Sequence, residues 1–473
     1  MNMRRADRSG SIAYLCFDDS KNFGDQLIGR LARRQLSMVG LDEFEIVNAR
    51  NVDVDLREFA AVVIAPGGYL SGKHESDDRE NVRWFLDLSA ATAEELAAAG
   101  VPIFFWGTGV NAWSGRRAFD AEAVHEIRGV LEASAGVFVR GHADLTFLRE
   151  KIWQDIDQRA RFMPCPSLFT KRLLQLPGSP PSAMVGINIG ADQIGEWSNA
   201  PADGEHAWFA GRIRLVVEHI RSRGFQPVFL PNTPFDHTFC ETHFSTDPAL
   251  LMNDRTAMLG DGMAEWLPRF HSVIGMRLHG WLPYVGAGVP SVLISPFPIR
   301  QQMPNDLGLP ECYGMSGPFD PNAVIACFDQ ICAEREALVG EAARVVDVEW
   351  TRASNIAREV ARAVGERTAR GAPITLEASA EFWEQRGSRL RKAELYDAAI
   401  CAYERAGTVL GSYQIAMCRA AKGEDEAAAS LFRFVSECDA LRPDLAWLRE
   451  AAQGHLQRLE LRRGSSESAA PLG

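Results

Sequence analysis

Twice along this chain, short runs of β-branched and aromatic residues alternate with longer amphipathic stretches, and a segment rich in proline, glycine and serine separates the two series. The first series holds SIAYLCF (11–17), FEIVN (44–48), AAVVIAPGG (60–68), VPIFFWGTG (101–109) and GVFVRG (136–141). Between these lie helical patterns such as GDQLIGRLARRQLSMVG. LPGSPPSA (176–183) reads as a linker, after which MVGINIG (184–190), QPVFLPN (226–232), SVIGM (272–276) and PSVLIS (290–295) begin a second series. Strand–helix alternation of this kind demands right-handed crossovers and a mostly parallel sheet. The sequence therefore predicts two consecutive Rossmann-like α/β units, 11–178 and 184–345. Ligands of such sheets bind outside the carboxyl ends of the strands, where the glycine-bearing runs PGG, WGTG, NIG and GMRLHG are predicted to gather.

The length, 473 residues, leaves room for a third unit at roughly 150 residues per domain. A helical stretch over about 336–368 carries alternating charge, and GAPITLEAS then breaks it, which marks 346–375 as a helical linker. Beyond it, LYDAAICAYERA (395–406) and EDEAAASLFRFV (424–435) share an Ala-Ala pair and a following aromatic, Tyr403 and Phe432, about 29 positions apart. That repeat points to stacked helical hairpins of tetratricopeptide type over 376–462, with a plain helical bundle as the alternative. The last residues, 463–473, read as a disordered tail.

Composition excludes several classes. A net charge of −12 lacks the basic footprint of a nucleic-acid partner, although a local basic pocket for an anion is compatible with it. The nine cysteines form no CxxC and no paired ligand spacing, which removes support for zinc, iron–sulfur and redox motifs and predicts no metal or cofactor. No apolar run of membrane-spanning length occurs, and the N-terminal MNMRRADRSGSIAYLCF is broken too soon for a signal segment, so a cytoplasmic location is expected.

The chemistry concentrates in SVIGMRLHGWLPYVGAGVPSVLIS (272–295). Arg277 and His279 interrupt buried apolar sequence just past a strand. Their equal parity would aim both to one face of extended backbone. A guanidinium fork suits a carboxylate or phosphate, and a histidine titrates near neutrality, so the pair fits an anionic substrate that needs a proton. The competing reading is structural: a buried Arg–His pair that anchors a helix or bonds an internal carboxylate. In NFGDQLI (22–28), Asn22, Gly24 and Asp25 stand at a helix start, where an anion is favoured and glycine permits close approach. Asp25 fits either a cap or a sugar-hydroxyl ligand. Gly67 and Gly68 of PGG, with Gly107 and Gly109 of WGTG, can bring backbone amides to a ligand but form no dinucleotide or Walker motif. Arg140 ends another strand, with His142 beyond it, and serves a ligand or merely starts a helix.

In this order and spacing, NFGDQLI, VVIAPGGYL, FVRG and above all GMRLHG with the VPSVLI strand resemble the polysaccharide pyruvyltransferase family over roughly residues 11–345. The resemblance implies two domains in a glycosyltransferase-B-like arrangement. It further implies transfer of a pyruvyl group from phosphoenolpyruvate to two hydroxyls of a polysaccharide or precursor sugar. Carried onto this sequence, Arg277 and His279 match the family's phosphoenolpyruvate-binding Arg-Leu-His as catalytic residues, and Arg140 its strand-end arginine. Two departures stand out: PCPSLF (164–169) where an Asp-Pro step is common, and Arg300 where a lysine is common. The helical C-terminus lies outside the resemblance and is expected to dock a partner protein or orient a long acceptor. A nucleotide-sugar glycosyltransferase of the same architecture, or a non-catalytic assembly protein, are the competing functions.

Overall fold

The computed structural model describes residues 10–16, 22–48, 54–70, 73–74, 90–110, 117–119, 121–156, 159–176, 178, 182–245, 251–252, 266–369, 383–384, 387–388, 391, 396–438 and 445–467. In the first unit, β1 (Ile12–Cys16), β2 (Phe44–Asn48), β3 (Ala61–Ile64), β4 (Ile103–Val110), β5 (Gly136–Val139) and β6 (Ala160–Phe162) form a parallel sheet. Their order is β2-β1-β3-β4-β5-β6, and Gly67–Leu70 pairs beside the far end of β4. In the second unit, β7 (Met184–Asn188), β8 (Gln226–Phe229), β9 (Leu251–Met252), β10 (Ser272–Gly275), β11 (Ser291–Ile294) and β12 (Gly314–Met315) run parallel in the order β9-β8-β7-β10-β11-β12. The strands are short, and runs such as AVVI and SVLI are buried throughout, as parallel sheets covered on both faces require. The expected class, two parallel α/β units followed by helices, is the class observed. Strands β6, β9 and β12 carry too few apolar residues to be seen in the sequence.

Each sheet reverses its strand order once in a place that matters. In the second, the switch falls between β7 and β10, with Asn188 paired to Gly275 at the top. That is the position at which doubly wound sheets open a crevice for ligands.

The units meet through several close contacts. A short helix, Leu282–Gly286, lies on the turn Pro166–Phe169 of the first unit. Asp306 accepts from the Ala143 amide at the start of the helix His142–Phe147 (3.1 Å). The amide of Phe23 donates to the Asn232 carbonyl (3.0 Å). One apolar core spans both sheets.

The expected boundary at 345/346 falls inside a helix, and the stretch expected as a helical linker is helical as far as Ala369. A single helix, Pro321–Ala369, runs through that position with one kink at Glu334. Its later turns bury Ala353, Ile356, Ala357, Val360 and Val364, an apolar stripe at helical spacing that docks on the core instead of spanning solvent. Trp350 meets Phe169 edge-on (5.2 Å), and Glu359 and Asp347 pair with Arg161 and Arg172 (2.5 Å each). The predicted break at GAPITLEAS, and half of the 176–183 linker, lie outside the described residues.

Four further helices, Tyr396–Ala406, Val409–Ala421, Asp425–Glu437 and Trp447–Glu467, pack each on the next around cores of their own. The 29-residue offset is structural. Ala399 and Ala428, and likewise Tyr403 and Phe432, are buried at corresponding places on successive hairpins. The last helix continues to Glu467, past the expected start of a disordered tail at 463, and 468–473 lie outside the described residues.

The contact between units generates a test. A methyl group at Gly286 would stand 2.4 Å from the Ser167 carbonyl oxygen, whereas one at exposed Gly340 meets nothing within 4 Å. Gly286→Ala is expected to cost about 1–3 kcal/mol, read as a lower melting temperature. Gly340→Ala should be neutral or stabilising by about 0.5–1 kcal/mol.

Candidate active site

The loop after β10 carries the site. Gly275 and Gly280 bracket Arg277 and His279 for steric reasons. A Cβ at Gly280 would fall 1.9 Å from Oδ1 of Asn188, and one at Gly275 would fall 2.7 Å from the Gly280 carbonyl. Asn188 thereby reaches in to accept from the Arg277 amide (3.1 Å), while its Nδ2 donates to the Leu230 carbonyl (2.6 Å) and Asn232 Oδ1 (3.2 Å).

The parity expectation fails here. Arg277 is extended, but Leu278–Gly280 forms a 3₁₀ turn, and a turn destroys the two-residue alternation that would have aligned the side chains. Arg277 and His279 leave the loop for different surroundings. The Arg277 guanidinium donates through Nε (2.8 Å) and Nη2 (2.7 Å) to both oxygens of buried Asp236, and through Nη2 also to Asp192. Burial alone would lower its pKa, but Asp236 and then Asp192 outweigh burial and raise it. This is the internal-carboxylate arrangement. Neither acid was singled out in the sequence, although Thr233-Pro-Phe-Asp236 is legible as a capping box, and the structure contains that box at the start of the helix Pro234–Phe244. Asp236 also accepts from the amides of Ala191, Asn232 and Thr233 (2.9–3.0 Å).

His279 crosses to the first unit. It lies against Gly24, where an added Cβ would stand 2.7 Å from its own Cβ and 3.0 Å from Nδ1. Asn22 caps that helix, accepting from the Gly24 amide (2.9 Å), and Asp25 sits in the first turn, so the capping role falls to Asn22. On the other side, Nε2 of His279 is 3.7 Å from Sγ of buried Cys165. Gly107, at φ 60°, leaves room for Pro166 and the Cys165 backbone.

Arg140 is buried, and its guanidinium occupies the volume a side chain at Gly109 would fill, 2.1 Å from the ideal Cβ to Nε. This close approach is why WGTG carries glycine at its last position. Gly67 and Gly68 lie on the adjacent strand segment, with Gly67 paired to Thr108. His142 is exposed and opens its helix, stacked on Phe162 (4.3 Å), away from this chemistry.

Burial pushes the His279 pKa well below its ordinary value, and the charges of Arg140 and Arg300 push it further the same way. Arg300, half-buried over the Phe297 ring, is itself lowered to about 9 by burial and by the charges of Arg140 and Arg277, which Asp192 and Asp144 offset only in part. The structure thus brings Arg140 and Gly24 from one unit near His279 and Arg300 from the other, with Asp144 and Asp192 as carboxylates close to the two arginines. Buried Asp144 is raised to about 6, by burial first, against the pull of Arg140 and of its bond from the Val110 amide (2.8 Å).

The sequence profile of polysaccharide pyruvyl transferases matches residues 22–259, just over half of the chain. This protein belongs to that family. The matched stretch runs from the Asn22 cap through Arg140, Cys165 and Asp236, and ends before the Gly275–Gly280 loop. No curated protein matches the chain. Among solved structures, this pyruvyl transferase family member is similar to S. aureus MnaA with UDP (5% identity, 70% of this chain and 90% of that one, TM-score 0.43). It is also similar to UDP-GlcNAc 2-epimerase from Neisseria meningitidis bound to UDP-GlcNAc (9%, 75% and 99%, 0.43). A third is sucrose-phosphate synthase from Thermosynechococcus elongatus (12%, 76% and 100%, 0.41). Among the described residues no helix is long and apolar enough to cross a membrane.

Two outcomes test this geometry. Asp236→Ala removes the buried carboxylate from Arg277, leaving it only Asp192, and strands three backbone amides; it is expected to cost about 3–5 kcal/mol in denaturant unfolding. Asp144 has its folded pKa raised from 3.8 to about 6, so its contribution to stability is full below pH 3.8 and is lost as pH rises through 6. Asp144→Asn should flatten the pH dependence of stability across that window and leave the protein at least as stable at pH 7.

Proposed function

We propose that the protein transfers a pyruvyl group from phosphoenolpyruvate to two hydroxyls of a polysaccharide or precursor sugar, releasing phosphate and leaving a cyclic ketal. Family membership supports a pyruvyl transferase acting toward polysaccharide. The observation that carries the donor assignment is that buried Arg140, from the first unit, and Arg300, from the second, both act on His279.

Phosphoenolpyruvate has a phosphate and a carboxylate on either side of one enol carbon. Arg140 and Arg300 suit its two anionic ends. Arg277, held by Asp236 and Asp192, instead positions the loop that presents His279. Protonation of the methylene carbon turns the adjacent carbon into an oxocarbenium-like centre. One sugar hydroxyl adds there, phosphate leaves with cleavage of its ester C–O bond, and the second hydroxyl closes the ketal. Of the two hydroxyl protons released, one balances the proton placed on carbon and the other leaves with phosphate.

His279 is neutral in the free protein. An arriving donor anion cancels the two arginine charges that depress its pKa, which makes the histidine a stronger base in the complex and lets it bond phosphate or supply the proton. Anion binding and proton competence are thereby coupled.

The test is ligand-induced thermal stabilisation by phosphoenolpyruvate, together with phosphate release in a pool of candidate glycans. Wild type should be stabilised, and Arg140→Ala and Arg300→Ala should each weaken donor binding by about tenfold or more. His279→Ala should retain the fold and lose turnover. Stabilisation by a sugar nucleotide and none by phosphoenolpyruvate would overturn the proposal in favour of glycosyl transfer.

A further inference from the structure

Among the described residues, Cys165 is the thiol in contact with the proposed donor-site histidine, and its hydrogen bonding has a direction. The sulfur is buried and accepts from the Ser167 hydroxyl at 3.2 Å. Burial raises the thiol pKa, Ser167 lowers it only in part, and the proton stays on sulfur. With its acceptor capacity taken up by Ser167, the thiol has its S–H left to donate. Nε2 of His279, at 3.7 Å, is the nitrogen in reach.

The other ring nitrogen has a different setting. Nδ1 lies beside Gly24 at the helix start and has no hydrogen-bond partner among the described residues. With Nε2 taken up by Cys165, Nδ1 is the ring nitrogen left to meet the donor anion in the proposed cleft between Arg140 and Arg300. For a neutral imidazole the choice of tautomer then decides what an incoming anion meets. With the proton on Nε2, a lone pair faces the cleft and repels phosphate or carboxylate. With the proton on Nδ1, an N–H faces it.

We propose that Cys165 fixes the tautomer of His279: its S–H donates to Nε2, so the neutral ring carries its proton on Nδ1 and presents an N–H to the anionic donor. Cys165 is then a positioning residue that acts through His279. The significance for turnover rests on the donor assignment above, whereas the tautomer itself does not.

Long-range ¹H–¹⁵N correlation spectra of ¹⁵N-histidine-labelled full-length protein read the tautomer directly, with the His279 signals assigned by their loss in His279→Gln. The expected result is Nδ1–H in wild type and in Cys165→Ser, which keeps a donor, and a shift toward Nε2–H in Cys165→Ala. Turnover should follow: Cys165→Ser within a few-fold of wild type, and Cys165→Ala lower by about tenfold or more. Nε2–H in wild type, or an unchanged tautomer in Cys165→Ala, overturns the proposal. An Nε2–H signal in wild type overturns the proposal even where a variant fails to fold, and Cys165→Ser supplies the comparison where Cys165→Ala does not fold. If the tautomer responds to Cys165 as stated while phosphoenolpyruvate neither binds nor turns over, the tautomer lock stands and the donor assignment falls.

Discussion

The rim of the second sheet depends on one buried ion pair. Asp236 receives both arms of Arg277 and the amides of Ala191, Asn232 and Thr233, so a single carboxylate ties together the loops that follow β7, β8 and β10. A buried pair of this kind is a weak source of net stability, because desolvation consumes most of the Coulombic gain. Its effect is geometric. With every lone pair of Asp236 engaged, the three strand ends have one arrangement relative to one another, and His279 is delivered toward the first unit from a fixed base.

That arrangement separates two jobs which sequence alone assigns to one motif. Arg277 spends its charge internally on Asp236 and Asp192, and on the proposed function the charge offered to a donor comes from Arg140 and Arg300. On the proposed function, a donor anion placed between the two arginines would offset the charges that hold His279 neutral. The Cys165 contact extends this logic from the amount of charge to its direction, since a neutral ring still has a donor side and an acceptor side.

Much of the fold was legible because apolar periodicity is a local property. The nine longer strands were marked by apolar, β-branched or aromatic runs, and helices between them by amphipathic spacing. Strands of two or three residues, such as Leu251–Met252 and Gly314–Met315, exist only because a neighbouring strand supplies their hydrogen bonds, so no local signal announces them. The return of Pro321–Ala369 onto the first unit was missed for a similar reason. Its stripe of Ala353, Ile356, Val360 and Val364 shows that one face is buried, but nothing in the spacing names the partner.

The site divides along the same line. The sequence by itself determined that arginine, histidine and glycine would stand at strand ends on one rim, since strand–turn–helix punctuation places them there whatever the rest of the chain does. It also determined the family to which the chain belongs. The tertiary structure decided which charges oppose which. A 3₁₀ turn sent Arg277 and His279 apart, Asp236 and Asp192 came from loops about 40 and 85 residues away to neutralise Arg277, and Cys165 arrived from the other unit to touch His279. Electrostatic and hydrogen-bond partners of this kind are set by distances of a few ångströms between chain segments remote in sequence, and those distances exist only once both sheets are packed.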